Sequence, residues 1–167
     1  MSEERLKFYR ITDEYLKFLR SIERKVQLNY PNRAKPHVGI LLNLGLHQYF
    51  APLSSWDEQK YGRIKKWNKT IFKVVDPDNE ENKLAVIHVN NMIPIIQTEI
   101  VPMDFNKEEE KYRSLLVKEY RFVIKNEVAI RQRAQDLYHA VKKGDKFYSD
   151  LSCDFATLEI EYLKFRK

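Results

Sequence analysis

Short apolar runs typical of β-strands alternate with helical patterns along this chain. Residues 6–11 (LKFYRI) predict a short strand. Thr12 then fits the N-cap of a helix, because Asp13 and Glu14 place negative charge at the positive end of the helix dipole. Apolar positions at helical spacing extend this predicted helix to about Val26.

A β-hairpin is the clearest pattern that follows. The near-continuous apolar run 37–42 predicts a buried strand, residues 43–45 a turn, and residues 47–53 the second strand. Polar residues at 76–81 (DPDNEE) predict another turn between strands. The remaining apolar runs predict strands at 71–75, 84–89 and 93–101.

From Lys107 onward the apolar positions recur with a helical period. The segment is long enough that we expect a break near Asn126, and Gly144 fits a helix stop. Asp154 can cap a last short helix. The pattern predicts a single α+β domain, residues 1–167, in which helices pack against a curved, largely antiparallel sheet.

Composition supports one folded, cytoplasmic domain. The 167 residues include 43% hydrophobic positions, which is too many for a disordered chain. Cys153 is the only cysteine, so no internal disulfide can form. The first ten residues lack the apolar core of a signal peptide, and no apolar run has the length of a membrane helix. We therefore expect a cytoplasmic protein without a membrane partner.

The positive charge is concentrated in one segment. The formal net charge is +6, which favours a polyanionic partner, nucleic acid first. Residues 60–73 contain six lysines and arginines and no acid. Aromatic side chains in the same segment can stack on unpaired bases. The RNA-binding candidates are Arg33, Tyr61, Arg63, Lys65, Lys66, Trp67 and Lys69, although Trp67 also fits a core anchor for the next strand.

Several common chemistries lack their signatures. The histidines His37, His47, His88 and His139 are not at zinc-ligand spacing, and Cys153 has no partner cysteine. His47 and His88 fall in strand patterns, where a hydrogen-bonded sheet residue is the simpler interpretation. The chain has four glycines, no P-loop and no GxSxG motif. We expect neither a metal nor another cofactor.

Polar groups that suit phosphodiester chemistry flank the predicted hairpin. Tyr30 and Lys35 precede its first strand, and Ser54 and Ser55 follow its second. Antiparallel pairing would bring Lys35 and Ser55 close together. In RNA the neighbouring 2′-hydroxyl is the nucleophile, so a protein need only position it, offset phosphate charge and help move protons. The alternative interpretation is that Ser54 and Ser55 simply begin a turn and that Lys35 is simply an exposed lysine.

Segments through most of the chain resemble the toxins of type III toxin–antitoxin systems, the ToxN/AbiQ family. The resemblance covers about residues 8–165 in order and includes YFAPLSS at 49–55, LAVIHVNNMIPI at 84–95 and CDFATLEIEYLKF at 153–165. It implies a metal-independent endoribonuclease with a barrel-like sheet. Such a toxin cuts cellular and phage messenger RNA at adenine-rich sites, leaves a 2′,3′-cyclic phosphate and serves in abortive infection.

The resemblance also implies partners and site residues. The inhibitor would be an RNA antitoxin whose pseudoknot repeat units the toxin cuts itself, with toxin and RNA closing into a ring. Ser54 and Ser55 match the family's hydroxyl pair, with Ser55 at the mechanistic position, and Lys35 matches the lysine before the strand. Tyr30 belongs to the same group. The family's second lysine is matched here only by Lys60, five residues after Ser55.

Two functions from other classes stay open on sequence alone. A non-catalytic RNA-binding module would use the same basic surface. A DNA-binding regulator is disfavoured, since no helix-turn-helix pattern is present and the charge follows a strand end.

Overall fold

An open antiparallel sheet covered by helices forms the structure. The computed structural model describes residues 4–166, so the ends of the predicted domain at 1–3 and 167 lie outside the described residues. Within that range the strands are β1 (Lys7–Ile11), β2 (His37–Leu44), β3 (His47–Ser55), β4 (Phe72–Asp76), β5 (Asn79–Ile87), β6 (Ile93–Pro94) and β7 (Ile100–Pro102). The helices are α1 (Asp13–Ile22), α2 (Glu58–Tyr61), α3 (Glu110–Lys125), α4 (Glu127–Lys142), α5 (Lys146–Leu151) and α6 (Phe155–Glu161).

Strand β3 is the centre of the sheet. The strand order is β4-β5-β3-β2-β1-β7, with β6 also paired to β3, and all the pairs are antiparallel. The predicted α+β class and antiparallel sheet are confirmed. The sheet is curved but not closed into a barrel, because within the described residues β4 and β7 end it without pairing to each other. Helix α3 packs on β4 through Phe72 and Phe122, whose ring centroids are 6.1 Å apart.

Helices α4 and α6 fix the position of β3. The rings of Tyr49, Tyr138 and Phe155 pack together in the core, with centroids 5.6–5.8 Å apart. The carboxylate of Glu159 accepts hydrogen bonds from the hydroxyls of Tyr49 at 2.6 Å and Tyr138 at 2.7 Å. These partly buried polar contacts join β3, α4 and α6. They hold the first half of the strand that ends in the two serines.

Helix α1 begins as predicted and ends early. The Thr12 hydroxyl accepts a hydrogen bond from the backbone N–H of Tyr15, as an N-cap does. The helix ends at Ile22 rather than near Val26, because Glu23 is extended. Val26 is nonetheless buried. Its apolar side chain therefore reports burial in a loop and not a further helical turn.

The second half of the sheet is more broken than the apolar pattern suggested. Residues 79–81 of the predicted acidic turn belong to β5, so the turn is confined to Pro77 and Asp78. The predicted strand 84–89 ends at Ile87 and passes into a 3₁₀ turn, Val89–Asn91. The predicted strand 93–101 is divided into β6 and β7 by a 3₁₀ turn at Gln97–Glu99.

The C-terminal half is helical as predicted. Asn126 separates α3 from α4, and Gly144 has a φ of 87°, the left-handed conformation of a helix stop. Asp154 caps α6 by accepting a hydrogen bond from Thr157. Helices α2 and α5 were not predicted, because segments of four and six residues are too short to show a helical period. Among residues 4–166, no helix combines the length and apolarity that crossing a bilayer requires.

Candidate active site at the end of the central strand

The β2–β3 hairpin brings Lys35 to Ser54. His37 pairs with Pro52 and Val38 with Ala51, so continuing the register places Lys35 opposite Ser54. The Lys35 ammonium donates a hydrogen bond to Ser54 Oγ at 3.1 Å. The expected neighbour was Ser55, and the actual contact is one residue earlier. Both serines line one open cavity of about 500 Å³ together with Lys35.

Both serines belong to β3 rather than following it. Ser54 pairs with Val86 and Ser55 with Ala85, so the strand is two residues longer than predicted. Pairing with β5 supplies the backbone hydrogen bonds that hold these hydroxyls at the sheet's end. The Ser54 side chain is half-buried and that of Ser55 is exposed.

Lys35 is a buried cation that has no counter-ion within the described part of the chain. It is 9% exposed, and none of the ion pairs found among residues 4–166 includes it. Its ammonium donates to Gln27 Oε1 at 2.7 Å and lies 4.9 Å from the centre of the Tyr30 ring. Burial, and secondarily the charge of Lys60, lower the pKa of Lys35 to about 8. An anion entering the cavity would therefore meet a poorly compensated positive charge.

Hydrogen bonds from Asn29 and Gln27 hold the loop before β2, and with it Lys35, in place. The Asn29 side chain donates to the Ile11 carbonyl at 2.9 Å and to Asp13 at 2.7 Å, and accepts from the Lys35 backbone N–H at 2.9 Å. Gln27 donates to Asn91 at 2.9 Å, which orients its other amide atom, Oε1, toward Lys35. The lysine is thus held by neutral hydrogen-bond partners.

Helix α2 supplies the opposite wall of the cavity. Asp57 caps this single turn by accepting hydrogen bonds from the backbone N–H groups of Gln59 and Lys60. The turn places Lys60 and Tyr61, both candidate site residues from the sequence, on the cavity. Burial, then the charge of Asp57, raise the pKa of Tyr61. Its hydroxyl therefore stays protonated at neutral pH.

His88 lines the cavity, although its sequence pattern indicated a hydrogen-bonded residue of the sheet. It follows β5 directly, and its backbone N–H donates to the Pro52 carbonyl at 2.9 Å. The ring is 8% exposed, lines the cavity, and has Nε2 3.3 Å from the Tyr61 hydroxyl. Burial, together with the charges of Lys35 and Lys60, lowers the pKa of His88 to about 4. The pairing of β5 with β3 was the signal that would have placed it beside the serines.

Arg33 lies at the edge of the same cavity in an aromatic stack. Its guanidinium carbon is 5.1 Å from the Tyr30 ring centre and 4.3 Å from that of Tyr112. Tyr112 and the buried Glu119 come from α3, which the sequence did not connect to the site. Burial raises the pKa of Glu119 to about 8, while the charge of Arg33 acts in the opposite direction.

The predicted basic run is divided between different surfaces. Lys60 and Tyr61 line the cavity, whereas Arg63, Lys65, Lys66, Trp67 and Lys69 do not. Trp67 is 69% exposed, so its interpretation as a core anchor is wrong. Lys69 lies 5.3 Å from the Tyr148 ring centre, on another part of the surface.

A second groove, of about 560 Å³, adjoins the cavity. Its lining includes Phe72 and Phe122, together with cations of which some were not singled out from the sequence. The ammonium groups of Lys73 and Lys83 each lie 5.5 Å from the centre of the Trp56 ring, and Trp56 also lines the cavity. The cations that line the groove are Lys65, Lys66, Lys73, Lys83 and Arg133.

The cavity's chemistry fits a phosphodiester. Three cations, Arg33, Lys35 and Lys60, surround hydroxyl groups and one neutral imidazole. The acid present, Asp57, accepts backbone hydrogen bonds from α2. Among the described residues 4–166 no group of three histidine, cysteine, aspartate or glutamate side chains is placed to hold a metal ion.

Comparison with known proteins gives consistent matches over nearly all of the chain. The family model described as toxin ToxN, type III toxin–antitoxin system, matches residues 7–164. Endoribonuclease AbiQ of Lactococcus lactis subsp. lactis is 30% identical over 166 residues, covering 97% of this chain and 90% of AbiQ.

Two solved structures share the fold. One, described by the statement that a processed non-coding RNA regulates a bacterial antiviral system, has a TM-score of 0.89 at 30% identity and covers 96% of this chain and 99% of that chain. The other, described as showing selective toxin inhibition by a non-coding RNA pseudoknot, has a TM-score of 0.85 at 28% identity and covers 96% and 98%.

Proposed function

The chain belongs to the ToxN toxin family of type III toxin–antitoxin systems, and on that premise we propose that it is a metal-independent endoribonuclease toxin. The RNA's own 2′-hydroxyl attacks the adjacent phosphate and leaves a 2′,3′-cyclic phosphate. The observation that carries the proposal is the cavity in which Lys35, without a counter-ion, contacts Ser54 beside Ser55.

Each cavity residue has a role that its position supports. Lys35 offsets the negative charge that grows on the phosphate in the transition state, and Lys60 contributes a second positive charge from the opposite wall. Ser55, exposed at the last position of β3, hydrogen-bonds the phosphate or orients the 2′-hydroxyl. Ser54 supports Lys35, and Tyr30 lies under the lysine with its ring. These lysines supply the positive charge that a metal ion supplies in other nucleases.

The second groove is the proposed path for RNA beyond the scissile phosphate. The cations that line it can contact phosphates, and its aromatic side chains can stack with unpaired bases. Lys73 and Lys83 of the groove contact Trp56 of the cavity, so a bound RNA strand can pass from one depression to the other. Arg63, Trp67 and Lys69 lie outside both depressions and would contact only a longer RNA.

Replacing Lys65, Lys66 and Lys83 together with alanine should weaken RNA binding across sequences. Each lost contact with single-stranded RNA should also reduce the slope of log K against log salt by about 0.7. Binding titrations at several salt concentrations measure both effects. The matched control replaces Lys7, Lys17 and Lys111, which are exposed and line neither depression. Equal slopes for the two triple variants would rule out the groove as the RNA path.

The partner that we propose is an RNA antitoxin. The related structures are described with a regulating non-coding RNA and an inhibiting RNA pseudoknot. The net charge of +6 suits such a partner. By the same resemblance the toxin cuts its antitoxin transcript into pseudoknot units, forms a ring with them, and acts in the cytoplasm on cellular and phage messenger RNA.

Protein expressed together with the DNA upstream of its gene should purify with a short RNA of one discrete length. Dissociating this complex at high salt, followed by removal of the RNA, should release a protein that cuts added RNA. Gel analysis of the extracted nucleic acid and a cleavage assay before and after dissociation measure the two effects. Purified protein that carries no RNA and is still inactive would contradict the proposed inhibitor.

A further inference from the structure

The cavity contains one imidazole, that of His88, to which the proposed mechanism has so far assigned no role. Of the four histidines, all within residues 4–166, only His88 lines the cavity with Lys35, Ser54 and Ser55. His37 instead has Nδ1 3.0 Å from the Lys35 carbonyl, and His47 has Nδ1 2.9 Å from the Tyr162 hydroxyl. A buried, proton-accepting ring beside the proposed scissile phosphate therefore stands apart from the other three.

We infer that His88 is the group that accepts the proton from the attacking 2′-hydroxyl, an inference that rests on the ribonuclease function proposed above. The 2′-oxygen–hydrogen bond breaks as its proton passes to His88, and the 2′-oxygen forms a bond to phosphorus. The bond from phosphorus to the 5′-oxygen breaks, and that oxygen takes a proton from the Lys35 ammonium. Solvent then returns both side chains to their starting protonation states.

The contact of His88 with Tyr61 fits this role. The distance from Nε2 to the Tyr61 hydroxyl is 3.3 Å, longer than a strong hydrogen bond, so an entering hydroxyl can replace it. Catalytic hydrogen bonds are often long before substrate is bound and shorten in the complex. The 3.3 Å contact orients the ring in the cavity and leaves Nε2 able to accept a hydrogen bond from the substrate.

The surrounding charges keep His88 neutral until RNA is bound. Lys35 from the loop before β2 and Lys60 from α2 act on it, and with burial they lower its pKa to about 4. The other polar groups on the cavity include Tyr30, Arg33, Asp57 and Tyr61. A bound phosphate adds negative charge next to both lysines. It should therefore raise the pKa of His88 toward neutrality, where an imidazole is an effective base.

The first test compares His88→Gln with the wild type and with His37→Gln, the matched buried control. The cleavage rate of a short adenine-rich RNA should fall about 10²–10⁴-fold in His88→Gln and far less in His37→Gln. In the wild type kcat should decline at low pH as the base becomes protonated, and His88→Gln should lack this decline. RNA affinity should stay unchanged. A His88→Gln variant that cuts within threefold of the wild type, with the same pH profile, would overturn the inference.

The second test needs no variant. NMR titration of the imidazole groups is carried out with and without an RNA carrying 2′-deoxyadenosine at every adenine, which the protein cannot cut there. Binding should raise the pKa of His88 from about 4 and leave that of His37 unchanged. No change at His88 would contradict its position beside the phosphate.

A third measurement separates base from acid. In an RNA with a 5′-bridging sulfur at the cleavage site, the leaving group needs no proton, so the defect of His88→Gln should persist. Recovery of its rate would make His88 the acid and overturn the assignment. If the wild type itself cuts none of these RNAs, the ribonuclease proposal fails; if it cuts them and His88→Gln cuts equally well, only the present inference fails.

Discussion

A Lys35→Met variant should bind RNA but cut it about 10²–10³-fold more slowly than the wild type. Methionine keeps the length and apolar packing of the lysine stem and removes the charge. The position of the ammonium in the cavity is fixed by hydrogen bonds to Gln27 Oε1 at 2.7 Å and Ser54 Oγ at 3.1 Å. Single-turnover cleavage measured beside an RNA-binding assay separates the loss of catalysis from a loss of affinity.

The serines give a graded comparison for the same experiment. Ser55→Ala should be nearly as slow as Lys35→Met if Ser55 hydrogen-bonds the phosphate or orients the 2′-hydroxyl. Ser54→Ala should be milder, because it removes one of the two hydrogen bonds that the ammonium donates. The reverse order, with Ser54→Ala slower than Ser55→Ala, would move the mechanistic role to Ser54.

Unfolding should not be the cause of the expected loss of cleavage in Lys35→Met. The lysine is a buried charge without a counter-ion, so removing the charge relieves a desolvation cost. The direction in which stability changes with pH follows from the pKa of Lys35, which is lower in the folded protein than in the unfolded chain. Between about pH 8 and the unfolded value, the unfolded chain binds more protons, and stability rises with pH. Thermal melting of Lys35→Met should therefore be no lower than that of the wild type.

The pH profile gives an independent readout of the same lysine. Because Lys35 acts in its charged form, kcat/KM should fall as pH rises through about 8, the pKa in the free protein. In Lys35→Arg the charge persists to much higher pH. Its alkaline decline should move upward whatever its absolute rate. An unchanged alkaline limb would mean that another group titrates there.

The hairpin shows how far the sequence reaches toward the site. Apolar runs on either side of a short turn predicted β2 and β3, and antiparallel pairing correctly put Lys35 at the serine end. Which serine it contacts depends on a single residue of register. The length of β3 was also underestimated, because its last two residues, Ser54 and Ser55, are polar and are held by pairing with β5. A strand formed by long-range hydrogen bonds leaves no apolar pattern of its own.

The hydrophobic pattern could not predict which residues from distant elements reach the site. His88 was interpreted as a sheet residue, although the strand ends one residue earlier and the ring turns into the cavity. Tyr112 reaches Arg33 from α3, about eighty residues along the chain, and nothing near either position signals the contact. Val26 was assigned to α1 because burial and helical spacing give the same apolar signal over a few residues.

The most direct test of the account is cleavage in excess EDTA of an adenine-rich RNA and of the same sequence with 2′-deoxynucleotides. The proposed chemistry takes its nucleophile from the RNA and its positive charge from lysines. The purified, RNA-free protein should therefore cut the RNA as fast with EDTA as without it, and leave the deoxy version intact. Mass spectrometry of the 5′ fragment should show a 2′,3′-cyclic phosphate. Loss of cutting in EDTA, equal cutting of the deoxy strand, or a product ending in a 3′-hydroxyl would contradict the mechanism.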